Sequence, residues 1–203
     1  MKPLDPPSTV FDRWHIDHLQ LCKAQGFNYV LVFVDFLSLW SVLFPSKSTA
    51  GEETARLFYD NLFMVYGCRP LVSDRGASFR SRLVRSLCSL LGVKHVYPSS
   101  RHPQSNFCCK AYNRNLLNSL RFRCGSEENW PALLPTIGHA FRTSFVKQLG
   151  ASSFKVLFGQ KARLPVDKLL LPLKSLPASA QNYYKQLEPQ LRILQETFKP
   201  NKI

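Results

Sequence analysis

Acidic residues are scarce in this chain and unevenly placed. Of 203 residues, 13 are Asp or Glu against 27 Lys or Arg, a formal charge of +14. From Arg75 to Ser126 there is no acid at all, while Arg75, Arg80, Arg82, Arg85, Lys94, Arg101, Lys110, Arg114, Arg121 and Arg123 all fall there. Positive charge without counter-charge attracts a polyanion. The plainer alternative is a basic surface kept for solubility, but the regional asymmetry favours contact with DNA or another nucleic acid. No CxxC occurs among the six cysteines, and adjacent Cys108 and Cys109 make a poor disulfide pair and a poor zinc half-site. A zinc module is excluded, and free thiols in a reducing, intracellular compartment (nuclear or cytoplasmic) are expected. No apolar run reaches the roughly 18 residues of a membrane span, so no membrane partner is expected. MKPLDPPSTVFDRW has no apolar h-region, so no secretory signal is expected either.

Apolar residues make up 45% of the chain, with 15 Phe and 3 Trp, enough for one domain with a real core. FDRWHIDHLQL (11–21) alternates and predicts a strand; NYVLVFVDF (28–36) is the continuous apolar run of a buried central strand; SLWSVLFPSK (38–47) predicts a third. These three are expected as an antiparallel meander. The period then lengthens. Thr49 and Glu52 fit a capping box ahead of Ala55, Phe58, Leu62, Phe63 and Tyr66, with Gly67 as the stop. RPLVSD (69–74) predicts a short strand. A helix over 78–92 is expected to bury Leu83, Leu87, Leu90 and Leu91 and to turn its arginines outward. VKHVYP (93–98) predicts a fifth strand, followed by helices over about 106–123 and from Asn129 to about Val146. The order is that of an α/β protein: a mixed five-stranded sheet flanked by helices. Composition shifts after about Asp167. The expected division is a domain over 1–167, then a linker and an amphipathic helix over 168–203, with Pro189 against one unbroken helix.

Asp17 lies within the first strand and Asp74 ends the fourth. In this order of elements those strands can be neighbours, which brings two carboxylates together near the sheet centre. Taken singly, Asp17 reads as a solvated acid and Asp74 as a turn acid. Taken together they suggest hard oxygen ligands of the kind that suit Mg²⁺ or Mn²⁺. WHIDHLQL, VFVDFLSLWSVLFP, LVSDRGASF, HPQSN…AYNRNLLNSLR and SSFKVLFGQKARLPVD then occur in series. Over about residues 8–168 the chain resembles the integrase catalytic core of gypsy-type retrotransposons, within the retroviral integrase superfamily. The resemblance implies a ribonuclease-H-like fold and a site in which two Asp and one Glu hold two metal ions for attack on a phosphodiester. Asp17 matches the first acid and Asp74 the second.

The third acid is expected with 35 residues between it and Asp74, and that position is Lys110. Where the family resembles HPQTNGQVERFNR, this chain reads HPQSNFCCKAYNR; the frame returns at Tyr112, Asn113 and Arg114. Lysine offers N–H donors and no acceptor, so it repels a metal ion and is expected to pair with Asp17 or Asp74 instead. Phe107 at the usual glycine restricts the loop. Glu127 and Glu128 come about 17 residues too late, roughly 25 Å along a helix. Asp35 and Asp60 belong to the wrong elements.

The expectation is therefore an integrase-like domain without catalysis that binds nucleic acid, protein or both, with no cofactor. The alternative is an active core, dependent on Mg²⁺ or Mn²⁺ at Asp17 and Asp74, performing DNA 3′-processing and strand transfer. Arg75, Arg101, His102, Gln104, Lys110, Arg114 and Arg121 are the candidate nucleic-acid contacts, each with ordinary solvated surface or an X-Pro turn as the plainer account. His15 and His18 read as sheet residues rather than metal ligands. A protein partner or a homodimer is also expected, the latter by resemblance only.

Overall fold

The computed structural model describes residues 7–97, 107–123 and 129–164, with isolated positions at 182, 185, 188 and 189. Five strands form one sheet: β1 (Trp14–Ala24), β2 (Phe27–Asp35), β3 (Ser41–Ser46), β4 (Pro70–Ser73) and β5 (Lys94–Val96). Their order is β3-β2-β1-β4-β5, antiparallel from β3 to β1 and parallel from β1 to β5. The β1–β2 hairpin closes over Gln25 and Gly26, both at positive φ (51° and 83°), as a two-residue turn matched to strand twist requires. Every residue from Val30 to Asp35 is buried, which explains the unbroken apolar run in β2.

Among the described residues the α-helical elements are α1 (Gly51–Phe58), α2 (Met64–Tyr66), α3 (Arg82–Leu90), α4 (Phe107–Arg123), α5 (Trp130–Thr143) and α6 (Ser153–Phe158). A π-helical turn, Tyr59–Phe63, joins α1 to α2. Gly67 ends the run at φ 71°. Leu19, Val30, Val32 and Val34 of the sheet pack with Cys109, Leu116 and Leu120 of α4 and with Trp130, Leu134 and Ile137 of α5. Successive strand residues face opposite ways. On β1, Asp17 therefore meets Asn113 of α4, while His18 meets Thr54 of α1 on the other face.

Three local expectations are corrected. The capping box does not form: α1 begins after Ala50, and Glu53 rather than Glu52 turns back to accept the Lys47 and Ser48 N–H groups at 2.9 and 3.0 Å. On α3, capped by the Ser81 hydroxyl, the buried residues are Val84 and Cys88, whereas Leu83 and Leu90 stand 49% and 82% exposed. The inward stripe is Val84, Leu87, Cys88 and Leu91, at i, i+3, i+4 and i+7, with Leu87 and Leu91 half-buried, so only Leu83 and Leu90 of the four leucines fall outside it. Finally, α5 stops at Thr143, and Phe145–Val146 pairs with Ala151–Ser152 as a short hairpin that the sequence reading missed. In chain order the protein divides into two compact units, Met1–Phe141 and Arg142–Ile203. The second holds that hairpin and α6, which Ser152 caps by accepting the Lys155 N–H at 3.1 Å. The expected boundary at 167 and the tail beyond it lie almost wholly outside the described residues, as do Glu127 and Glu128.

Candidate functional site

The parallel pairing of β1 with β4 runs Trp14 with Leu71, His15 with Val72 and Ile16 with Ser73. One step further along both chains stand Asp17 and Asp74, on adjacent strands at the same level of the sheet. Asp74 is exposed just past β4, and its Oδ1 accepts the Gly76 N–H at 2.8 Å. A Cβ at Gly76 would sit 2.9 Å from that oxygen, so the glycine permits the close turn. Asp17 is half-buried. Its Oδ1 accepts the His18 N–H at 3.0 Å, and its Oδ2 accepts Nδ2–H of Asn113 at 3.0 Å. Burial first, and then the charge of Asp74, push the Asp17 carboxyl up to about 6; the His18 N–H and the Lys110 charge act in the opposite direction.

Helix α4 supplies the third side of the site. Cys109, Asn113, Leu116 and Leu120 form its buried stripe, at helical spacing i, i+4, i+7 and i+11. Cys109 is fully buried, and desolvation drives its thiol well above the usual range, with Asp17 adding to the effect. Lys110 is one residue off the stripe and exposed. The direct ion pair expected from the sequence is not formed: among the described residues Lys110 touches neither aspartate and acts on Asp17 only through space. Asn113, one turn further on, takes Oδ2 in its place, because its short amide reaches the carboxylate without dehydrating an ammonium. Its own Oδ1 is buried with no hydrogen-bond partner.

Of the proposed nucleic-acid contacts, Arg75, Lys110, Arg114 and Arg121 are exposed, the last two seven residues apart on α4. Arg101, His102 and Gln104 lie outside the described residues. His15 and His18 are held by rings: His15 stacks on Phe36 at 5.5 Å and His18 on Phe79 at 4.8 Å. Burial pushes His18 down to about 4, so it is neutral at pH 7. Thr54 donates its hydroxyl proton to the Ala50 carbonyl at 2.9 Å, leaving its oxygen to accept from His18 Nε2 at 3.3 Å.

Two features of the site escaped sequence reasoning. Asn113 is three residues after the expected acid, a helical neighbour that spacing alone could have nominated. The other is a polar chain beneath Asp74. The Ser73 hydroxyl donates to the Asp74 carbonyl at 2.8 Å and contacts His95 Nε2 at 2.8 Å; His95 Nδ1 lies 3.1 Å from the Tyr97 hydroxyl, which donates to the Phe79 carbonyl at 2.9 Å. Burial pushes His95 down to about 4. Nothing in the linear spacing of Ser73, His95 and Tyr97 announces the chain; it depends on β4 and β5 lying side by side.

The residues present fit a pair of divalent ions poorly. Two carboxylates face the site, one of them already accepting an amide N–H, and the only further charge acting on Asp17 there is the Lys110 ammonium, a cation. Among the described residues no three His, Cys, Asp or Glu side chains converge.

A mixed sheet in the order β3-β2-β1-β4-β5, with an acid on β1 level with an acid after β4, defines the ribonuclease-H-like fold of an integrase catalytic core. The structure is similar to the catalytic core domain of BIV integrase, with a TM-score of 0.58 and 19% identity over 72% of this chain and 93% of that one. In sequence, the chain is 29% identical over 151 residues to the Gag-Pol polyprotein of Feline leukemia virus, covering 72% of this chain and 9% of that protein. It is 26% identical over 192 residues to the Pol polyprotein of Radiation murine leukemia virus (strain Kaplan), covering 92% and 32% respectively. The chain thus spans a third or less of each curated relative. No family model matches it. The chain is therefore similar in sequence to two retroviral polyproteins and in fold to an integrase catalytic core.

Proposed function

We propose that this chain is a retroelement-derived integrase-like domain of gypsy-type descent that no longer performs phosphodiester chemistry and acts by binding nucleic acid, alone or with a protein partner, in the nucleus. The observation that carries the reading is Lys110. At the edge of α4 beside Asp17 and Asp74, it adds positive charge where two cations would have to be gripped, while Asn113 already occupies one oxygen of Asp17. The exposed Arg75, Arg114 and Arg121 supply phosphate contacts that need no metal. Partnering of two copies belongs to this reading as its assembly state.

The test is a calorimetric titration of the full chain with Mn²⁺, alongside Lys110→Glu and a nicking assay on duplex DNA. The wild type is expected to show no saturable Mn²⁺ site and no nicking, while Lys110→Glu gains a measurable site. Saturable binding by the wild type, with nicking abolished by Asp17→Asn, restores the active-core alternative. Duplex affinity is expected to fall with salt, and each of Arg114→Ala and Arg121→Ala to reduce that slope by about 0.9. Salt-independent or absent DNA binding leaves only an assembly module.

A further inference from the structure

The polar chain beneath Asp74 has one contact more than it has protons. Ser73 meets the Asp74 carbonyl and His95 Nε2, both at 2.8 Å; Tyr97 meets His95 Nδ1 at 3.1 Å and the Phe79 carbonyl at 2.9 Å. A carbonyl only accepts, so each hydroxyl gives its one proton to the outer contact. Both inner contacts then need an N–H from His95, and the ring must carry two. Burial pushes it down to about 4, so at pH 7 it carries one. With that proton on Nε2, Tyr97 turns its hydroxyl back to Nδ1 and releases Phe79; with it on Nδ1, Ser73 turns to Nε2 and releases Asp74. The only other arrangement sets two lone pairs face to face. The two outer carbonyls bound the turn that carries Asp74 and Arg75, inside which the Arg80 N–H donates to the Gly76 carbonyl at 3.1 Å. A neutral His95 fastens one end of this turn; a charged one fastens both.

The groups around the chain bear on that second proton. Asp74 stands just past β4, Arg80 in the turn, and Arg85 and Cys88 on α3, while Lys94, next to His95 on β5, faces the other side of the strand. Burial and then Cys88 raise the Tyr97 hydroxyl, and Arg85 and Arg80 lower it, so both arginines act at the Tyr97 end of the imidazole. Their charge opposes an imidazolium there. Arg75, Arg80 and Arg85 are all exposed, and phosphates paired with them lift that opposition. We propose that His95 is a proton-operated clamp on the turn carrying Asp74 and Arg75, and that a nucleic-acid backbone engaging Arg75, Arg80 and Arg85 draws the proton in and fastens both ends. This coupling rests on the nucleic-acid reading above and adds its regulation by protons; it is reciprocal, so acid tightens binding as binding takes up a proton.

Duplex affinity of the full chain, measured by fluorescence anisotropy at fixed ionic strength from about pH 7.5 to about 5.5, tests it. Asp17→Asn is present in every protein, so that titration of Asp17 at about 6 does not contribute. The protein with His95 intact is expected to tighten with falling pH about threefold more than the one carrying His95→Gln, whose amide keeps a donor and an acceptor but takes up no proton. Calorimetry of the His95 protein in two buffers of different ionisation heat reads the proton without relying on the folding of that variant. At about pH 5.5 it is expected to show uptake of about half a proton or more per duplex bound, and Tyr97→Phe, which removes the acceptor at Nδ1, to reduce that uptake. Equal pH profiles with and without His95→Gln, or binding without proton uptake, overturn the clamp and leave salt-dependent DNA binding standing. Absence of salt-dependent binding at every pH overturns the nucleic-acid reading and the clamp with it.

Discussion

Asp35 and Asp17 lie on paired strands, yet the protein treats them as opposites. Asp35 is completely buried at the end of β2. The Ser38 N–H and hydroxyl donate to its Oδ2 at 2.8 and 2.6 Å, and the Phe11 N–H donates to Oδ1 at 3.0 Å. Burial raises its carboxyl and these donors pull it back. Asp17 is less buried but worse provided for: one N–H from its neighbour, one from a residue 96 positions away, and a like charge at Asp74. Asp35 is met by two donors from Ser38 in its own turn and by one from Phe11. Asp17 is held instead by its neighbour's N–H and by one long-range amide, beside a like charge.

Substitution should separate the two acids in sign as well as size. Asp35→Ala leaves the N–H groups of Phe11 and Ser38 without an acceptor and is expected to lose about 3–4 kcal/mol in urea unfolding at pH 7. Asp17→Asn is expected to do the reverse. The folded protein holds the Asp17 proton up to about pH 6, against 3.8 for an ordinary aspartate. The charge therefore costs nothing below 3.8, costs more as pH rises between 3.8 and 6, and costs its full amount above 6. Two pH units correspond to roughly 3 kcal/mol, so the variant should gain about 1–3 kcal/mol at pH 7 and nothing at about pH 4. Asn113 can turn its free Oδ1 toward the new amide. Equal losses from both substitutions would break the comparison.

Asn113→Ala should cost about 1–2 kcal/mol at pH 7 and move the Asp17 titration, followed by carbon NMR, to still higher pH, because it removes a donor to the charged form. In an Asp17→Asn background most of that titration-linked loss should vanish. At pH 7 the smallest effect belongs to His18. Its folded value of about 4 lies below the ordinary 6.5, so its contribution is whole above 6.5 and is lost as pH falls toward 4. His18→Phe, which keeps the stack on Phe79, should flatten the stability profile in that window by about 1 kcal/mol per pH unit or less. An unchanged acid limb would show that His18 is solvated.

Much of the sheet could be read in the chain because its signals are local. The run from Val30 to Asp35 is apolar on both faces because the strand is covered on both, and the turn residues Gln25 and Gly26 fix the hairpin. The adjacency of Asp17 and Asp74 followed from element order, since a meander followed by α/β units leaves β1 a free edge for β4. Reading failed where two local signals competed. Thr49 with Glu52 looked like a cap, but the Ser48 and Lys47 N–H groups drew Glu53 instead. On α3 two stripes shared Leu87 and Leu91, and the one through Val84 and Cys88 faces inward while Leu83 and Leu90 stand outside it.

The amino-acid order alone determined the basic field and the order of the five sheet strands with the helices between them, for these are properties of composition and spacing. Only the folded chain decided that Lys110 stays in water while Asn113 binds Asp17, that His95 joins Ser73 to Tyr97, and that leucines of α3 face outward. Those outcomes depend on distances between residues far apart in the chain and on the unequal expense of dehydrating an ammonium and an amide, and such terms acquire values only when the elements pack.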